Sequence, residues 1–227
     1  MLARIPIPNA FAYGSPIAGT RVAVTEGLMK TLEEEEVEAV IGHELGHLKH
    51  RDVQVMMFVS ILPAIFYFIG YSFILSSMFG GGKSKEGNGS AAALIGMVSI
   101  FLYWVLTLFT LYLSRLREYY ADRHSVSIVE DGSRKLSEGL AKIIHESGRI
   151  KKRMPKTGQF SSFKALFISD PDRATADAQA IAQIGASDRK LVEEVLHMKV
   201  TGFDRFLEVF STHPNVVKRL RALQKLA

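Results

Sequence analysis

Two stretches without a single charged side chain decide what this chain can fold into. One separates Asp52 from Lys83 and the other Glu86 from Arg115, and they run for 30 and 28 residues. A membrane-spanning helix needs only about 20 predominantly apolar residues. The first stretch holds residues 53–79, with the run Ile61 to Ile69 interrupted only by Pro63. The second holds 91–114, with Trp104 among many Leu and Phe. A soluble core can hide one helix that is apolar all round, but two in tandem, joined by the polar Gly80 to Ser90, read as a transmembrane hairpin. Hydrophobic residues make up 48% of the chain, which rules out disorder for most of it, and cysteine is absent. A disulfide scaffold, a thiol nucleophile and a thiolate-bound metal are therefore excluded, so any metal has to be held by His and carboxylates. The net charge of +5 is spread along the sequence instead of gathered into one stripe, so no nucleic-acid partner is expected.

A hairpin brings the chain back to the side it left, so residues 1–52 and 115–227 share one compartment. The expected organisation is an N-terminal part (1–52) with strands and a His-bearing helix, a hairpin (53–114, spans about 53–79 and 91–114), and a helical C-terminal part (115–227) completing the same domain. Lys49, Arg51, Arg115 and Arg117 flank that side, against Lys83 and Lys85 in the loop. The bias places both soluble pieces in the cytoplasm of a multi-pass protein of the cell membrane, with the lipid bilayer as a partner. Met1 to Tyr13, with Arg4 and two prolines, forms no apolar core of a signal peptide.

The soluble pieces read as α+β and mainly helical, with a small sheet. Residues 5–13 form an extended edge segment, because Pro6 and Pro8 forbid a helix and are tolerated only at an edge. Arg21 to Thr25 is a second strand, ended by Gly27. Thr31 and Glu34 have capping-box spacing and open a helix whose apolar stripe is Val37, Val40, Ile41, Leu45 and Leu48. Further on, residues 115–150 are helical with a break at Asp131 to Ser133, where Ser133 caps a new helix. Residues 151–159 form a basic loop, 171–196 one or two amphipathic helices, and Pro214 opens a last helix reaching Ala227.

The helix after Thr31 carries His43, Glu44, Leu45, Gly46, His47. Histidines four apart share one helical face, so both imidazoles can meet one Zn²⁺, while Glu44 lies about 100° round and can reach a water instead. Catalytic zinc takes three protein ligands and leaves one position open. The hairpin indicates the third: His47 lies six residues before the first span and Glu118 four after the second, so antiparallel spans bring them to one membrane face. One zinc per chain is thus expected on His43, His47 and Glu118, with Glu44 as general base. Asp122, one turn after Glu118, either accepts the second ring N–H of a ligating histidine or is a surface carboxylate near Arg123. The segment Asn9, Ala10, Phe11, Ala12 lies just before the strand that leads into the zinc helix, as an exposed edge able to pair with extended substrate.

Glu118, Tyr119, Tyr120, Ala121, Asp122 also resembles the E-x-x-A-D motif that follows the membrane hairpin in HtpX-type membrane zinc metalloproteases, a gluzincin group related to the CAAX prenyl proteases. The likeness extends over Pro8 to Ala12, Val22 to Leu28, the H-E-x-x-H helix, the hairpin, and Ser211 to Pro214 ahead of Arg219. It implies a gluzincin-like domain interrupted by a hairpin, and endoproteolysis of unfolded or damaged membrane proteins in quality control and stress response. It also implies two further membrane helices ahead of Asn9, so the sequence reads as a piece of a longer protein or one whose start was assigned internally. For His213 the resemblance suggests a hydrogen bond to the developing oxyanion, against a plain place beside a helix N-cap. Arg219 either pairs with a site carboxylate or is solvated. A zinc-dependent membrane scaffold without proteolysis and prenylated-peptide processing are the alternative functions, the first disfavoured by the intact Glu44. Substrate identity and oligomeric state are not encoded in any feature of the sequence.

Overall fold

The computed structural model describes residues 1–15, 19–79, 88–153 and 188–227. It is mainly helical with one small sheet. The chain divides into two compact units: residues 1–52 with 115–227, and residues 53–114.

In the first unit, β1 (Leu2–Ala3), β2 (Ala10–Ser15) and β3 (Gly19–Thr25) form a sheet of order β1-β3-β2. β2 runs antiparallel to β3 in the register Ala10 to Val24 and Ala12 to Val22, and β1 runs parallel to it. The edge strand therefore starts five residues later than its prolines suggested and extends to Ser15. Gly27 does not end β3 but lies in a short helix, α1 (Glu26–Thr31), whose N-cap is Thr25, with its hydroxyl oxygen accepting from Leu28 N–H at 3.1 Å. Glycine is required there for space: a Cβ would stand 2.2 Å from the carbonyl oxygen of Pro6.

The zinc-motif helix, α2 (Glu34–Lys49), opens at Glu33 and not at Thr31. Glu33 N–H donates to Glu36 Oε2 at 2.8 Å, while the Thr31 hydroxyl donates back to Gly27 O and so finishes α1. The acidic first turn suits the positive end of the helix dipole. α2 packs against α5 (Gly132–Arg153) and the final turns of α4 (Asn88–Ile128). Leu28, Val40, Leu136, Leu140, Ile143, Ile144, Leu220 and Leu223 are among the best-buried members of the core cluster to which α2 contributes, each worth about 2 kcal/mol of transfer free energy. Two glycines set how closely α2 meets α4. At Gly46 an added Cβ would stand 2.9 Å from Ala121 Cα, and at Gly42 3.1 Å from Ser125 Oγ. Ser125 in turn donates to Ala39 O at 2.6 Å, a buried bond between the two helices.

Asp131, with φ of 54°, turns the chain from α4 into α5, which begins at Gly132. Ser133 is therefore not a cap; its hydroxyl donates to Leu223 O at 2.7 Å and ties α5 to the last helix. After α6 (Asp188–His197) comes α7 (Gly202–Val209), a helix not anticipated from sequence, opened by a reciprocal Thr201–Asp204 capping box. The last helix, α8 (Val216–Gln224), is capped by Asn215, whose side-chain oxygen accepts from Val217 N–H at 2.9 Å; Pro214 precedes the cap instead of entering the first turn. Most of the loop expected at 151–159 and the residues 171–187 of the expected amphipathic region lie outside the described residues, as does most of the turn at Gly80 to Ser90.

The second unit holds the apolar parts of α3 (Asp52–Phe79) and α4. Both helices are long and apolar enough to cross a membrane, with mean hydropathies of 2.0 and 2.2, and only 11% of the most apolar window of each is buried. A core helix of a soluble domain would be mostly covered, so these faces are built for an apolar surrounding. The pair approaches closely at Gly70 and Gly96, where a Cβ would press on Ile100 and Ile74.

Candidate active site

Local rules place most of the site. Helical spacing along α2 puts His43 and His47 on one face with their Nε2 atoms 3.1 Å apart. Two ligands about 2.0 Å from a tetrahedral zinc stand roughly 3.3 Å apart. Glu118, one turn ahead of the Gly46–Ala121 crossing, enters from α4: its Oε2 lies 3.7 Å from His43 Nε2 and its Oε1 3.6 Å from His47 Nε2. The three donor atoms all fall within 4.8 Å of one another, the one such cluster among the described residues.

The outer nitrogens of both rings are already engaged. His43 Nδ1 meets Asp122 Oδ1 at 2.9 Å, and His47 Nδ1 meets Asp52 Oδ2 at 2.6 Å. A carboxylate takes an N–H, so each imidazole carries a proton on Nδ1 and turns Nε2 inward as the nitrogen able to ligate. Burial, with the nearby charge of Arg219, pushes His43 below its usual range against the pull of Asp122, so it is neutral at pH 7. Burial alone would depress His47 as well, but the Asp52 bond and the charges of Glu118 and Glu44 outweigh it and raise the ring.

Glu118 is 2% exposed, and its Oε2 accepts no well-aligned hydrogen bond among the described residues. Burial alone would raise this carboxyl, yet His213, Arg219 and His43 hold it well below the usual carboxylate range. The Glu118 carboxylate thus faces both imidazole Nε2 atoms, with Arg219 Nη1 3.3 Å from its Oε2. The donor set, two imidazole nitrogens and one carboxylate oxygen, suits zinc.

Glu44 is also buried, and burial pushes it up to about 7, with the negative charge of Glu118 adding to the rise and His47, Ala12 and Arg219 opposing it. Its Oε2 accepts from Ala12 N–H at 2.9 Å, which brings β2 alongside the base. Because β2 is an edge strand, that N–H points away from β3. Asn9 and Ala10 are buried, and the Asn9 backbone pairs both ways with Thr25, so only the later part of the Asn9–Ala12 segment presents a free-facing edge.

His213 and Arg219 reach the site from the loop before α8 and from α8 itself. His213 Nδ1 stands 3.4 Å from Glu118 Oε2. Arg219 is 3% exposed and donates to both Asp122 oxygens at 2.6 Å, with Nη1 3.3 Å from Glu118 Oε2. That bidentate pair outweighs burial to keep Asp122 below its ordinary value, and Arg219 stays charged. Of the residues singled out from sequence, His43, Glu44, His47, Glu118, Asp122, His213, Arg219 and Ala12 come together here. Asp52 was missed. No periodicity links it to His47: the chain reverses through Arg51, whose φ is 54°, and only that left-handed turn brings the carboxylate back to the ring.

The sequence profile of peptidase family M48 matches residues 1–227. Among curated proteins, a "Protease HtpX homolog" of Thermoplasma acidophilum is 39% identical over 229 residues, covering 99% of this chain and 66% of that protein. A "Protease HtpX homolog 2" of Saccharolobus solfataricus is 37% identical over 231 residues, covering 100% of this chain and 67% of that protein. A "Protease HtpX homolog" of Archaeoglobus fulgidus is 38% identical, covering 96% and 60% respectively. The chain thus spans about two thirds of the length of the curated relatives it matches. Among solved structures, that of S. mikatae Ste24p superposes with a TM-score of 0.52 at 18% identity, covering 96% of this chain and 43% of that one, a likeness of fold.

Proposed function

Because the chain belongs to peptidase family M48, we propose that it is the proteolytic part of a zinc-dependent membrane endopeptidase that cleaves unfolded or damaged proteins. In this reading His43, His47 and Glu118 hold one Zn²⁺ and Glu44 is the general base. The observation that carries it is the convergence of three donor atoms within 4.8 Å, those of His43 and Glu118 buried and that of His47 partly so, beside a carboxylate that is not one of them.

Zinc held by these residues would supply Lewis acidity, polarising a scissile carbonyl and acidifying a water. Glu44 takes the proton from the attacking water on Oε1 or Oε2 and passes it to the leaving amine, work suited to a carboxyl poised near neutral pH. Asp122 and Asp52 fix the ring tautomers of His43 and His47, and Arg219 holds Asp122 in place. To His213, whose Nδ1 stands 3.4 Å from Glu118 Oε2, this reading assigns a hydrogen bond to the oxyanion that develops on the substrate carbonyl. Substrate lies extended along the open edge of β2, which the Ala12 N–H bond to Glu44 holds beside the base; affinity then comes from backbone common to all unfolded chains. The spans of α3 and α4 anchor the chain in a membrane, and Lys49, Arg51, Arg115 and Arg117, which flank them in sequence, favour the cytoplasmic side for the residues beyond them.

The test is Glu44→Gln in detergent-purified protein. Metal content stays unchanged and cleavage of an unfolded test protein falls by roughly 10²-fold to 10⁴-fold. Retained cleavage sinks the mechanism, and lost zinc makes Glu44 a ligand.

A further inference from the structure

Helix α7 is amphipathic the wrong way round for a helix on a water-exposed surface. Phe203, Phe206, Leu207 and Phe210 follow the i, i+3, i+4, i+7 spacing of a single face, and with Val209 they fill an arc of roughly 160° at about 100° per residue. Phe203, Phe206 and Phe210 are 67%, 60% and 50% exposed. The charged Glu208, in contrast, is turned inward and buried, where it accepts from Asn215 N–H at 3.0 Å and from Lys218. The fold thus anchors α7 by its polar face and presents its aromatic face outward.

The position of α7 supplies the occupant. Arg115 is the first charged residue after the apolar stretch of α4, and its Nη1 donates to Val209 O at 3.1 Å and to Ser211 O at 2.7 Å. The C-terminal end of α7 is therefore tied to the residue at which α4 leaves its apolar segment. We propose that α7 is an interfacial helix, with Phe203, Phe206, Leu207 and Phe210 inserted at the boundary between lipid headgroups and acyl chains. The proposal rests on the membrane reading of α3 and α4. Aromatic side chains favour that boundary, and such helices sink about 5–10 Å into it. A second copy of the chain is a poorer occupant: eight residues make a helix about 12 Å long, too small for the roughly 800 Å² per partner of a stable interface. Since the Ser211 to Arg219 segment follows directly, a seated α7 would also fix the height of His213 and Arg219 above the bilayer.

The absence of native cysteine allows a direct test on the full chain in phosphatidylcholine vesicles, with an environment-sensitive fluorophore at single cysteines. Phe68→Cys, outward on α3, reports on the spans; Phe206→Cys and Phe203→Cys report on α7; Arg205→Cys reports on an exposed position of α7 outside the apolar arc. Unchanged zinc content certifies the fold of each variant. The expected result is quenching of the Phe206 and Phe203 labels by nitroxides attached near the lipid headgroups, several-fold stronger than at Arg205, with Phe68 quenched by nitroxides deep in the acyl chains. Labels on α7 reached by an aqueous quencher while Phe68 is lipid-quenched overturn the proposal and leave the spans standing. Dry labels that lipid nitroxides do not quench also overturn it, because protein then covers the face. A Phe68 label untouched by lipid nitroxides removes the membrane reading itself, and the proposal with it.

Discussion

Replacing Gly46 by alanine perturbs the site without touching any residue that does chemistry. The new Cβ would stand 2.9 Å from Ala121 Cα, 3.2 Å from Ala121 O and 3.2 Å from His124 Cβ. Carbon atoms settle about 3.5–4.0 Å apart, so α2 and α4 must part by roughly 0.5–1 Å, and two of the three obstacles are backbone that no rotamer change can move. Alanine returns about 1 kcal/mol of helix propensity, against an overpacking cost of about 1–3 kcal/mol, so stability should change by no more than about 2 kcal/mol and the protein should still fold. The metal site has less tolerance. His47 is the next residue along α2 and Glu118 lies one turn from Ala121 on α4, so parting the helices separates a histidine ligand from the carboxylate ligand. Displaced supporting groups cost about 10- to 100-fold in metal affinity, which is the expected loss here. Competition against a chromophoric chelator measures it, with thermal unfolding run beside it. Gly42→Ala is the control: its Cβ would meet side-chain atoms first, Ser125 Oγ at 3.1 Å and Val129 Cγ2 at 3.2 Å, with backbone no nearer than Ser125 Cα at 3.3 Å, and its effect should be smaller. Wild-type metal affinity in Gly46→Ala would refute the idea that the close approach of α2 and α4 sets the site.

Arg219→Leu leaves Asp122 ionised, buried and without its cationic partner, which costs about 3–5 kcal/mol. Because Arg219 and His43 lower Asp122 in the folded state against the effect of burial, that stability is fully present above the usual aspartate value near pH 4 and is lost as pH falls through the folded-state value. The unfolding-temperature deficit of the variant should therefore be largest at neutral pH and narrow in acid; a deficit independent of pH would count against the pair. Ala12→Pro removes the N–H that donates to Glu44, so it should slow cleavage with zinc content unchanged, while an unaltered rate would mean that this bond does not support the base.

What could be read from the sequence follows the reach of each physical rule. The histidines of α2 needed only the helical period, and Glu118 needed only the return of an antiparallel hairpin, because both constraints are local or topological. Asp122 followed as one further helical turn. The caps were harder. Thr31 and Glu34 have the right spacing, but Glu33 with Glu36 forms the capping box two residues closer to the apolar stripe, and Thr25 claims α1. α7 went unseen although Thr201 and Asp204 carry a capping-box spacing, because eight residues give too short a window for periodicity to stand out. Asp52 depends on one left-handed residue, Arg51, and Ser133 on a contact with Leu223 some 90 residues away, and no local pattern encodes either.

The central claim, that His43, His47 and Glu118 jointly hold one metal ion, is most directly tested by counting zinc in the purified chain and in Glu118→Ala. The expected result is one zinc per wild-type chain and a sharp loss in the variant, whose imidazoles remain oriented by Asp122 and Asp52 but lack the buried carboxylate. Full stoichiometry and wild-type affinity in Glu118→Ala would contradict the account and place the third ligand elsewhere.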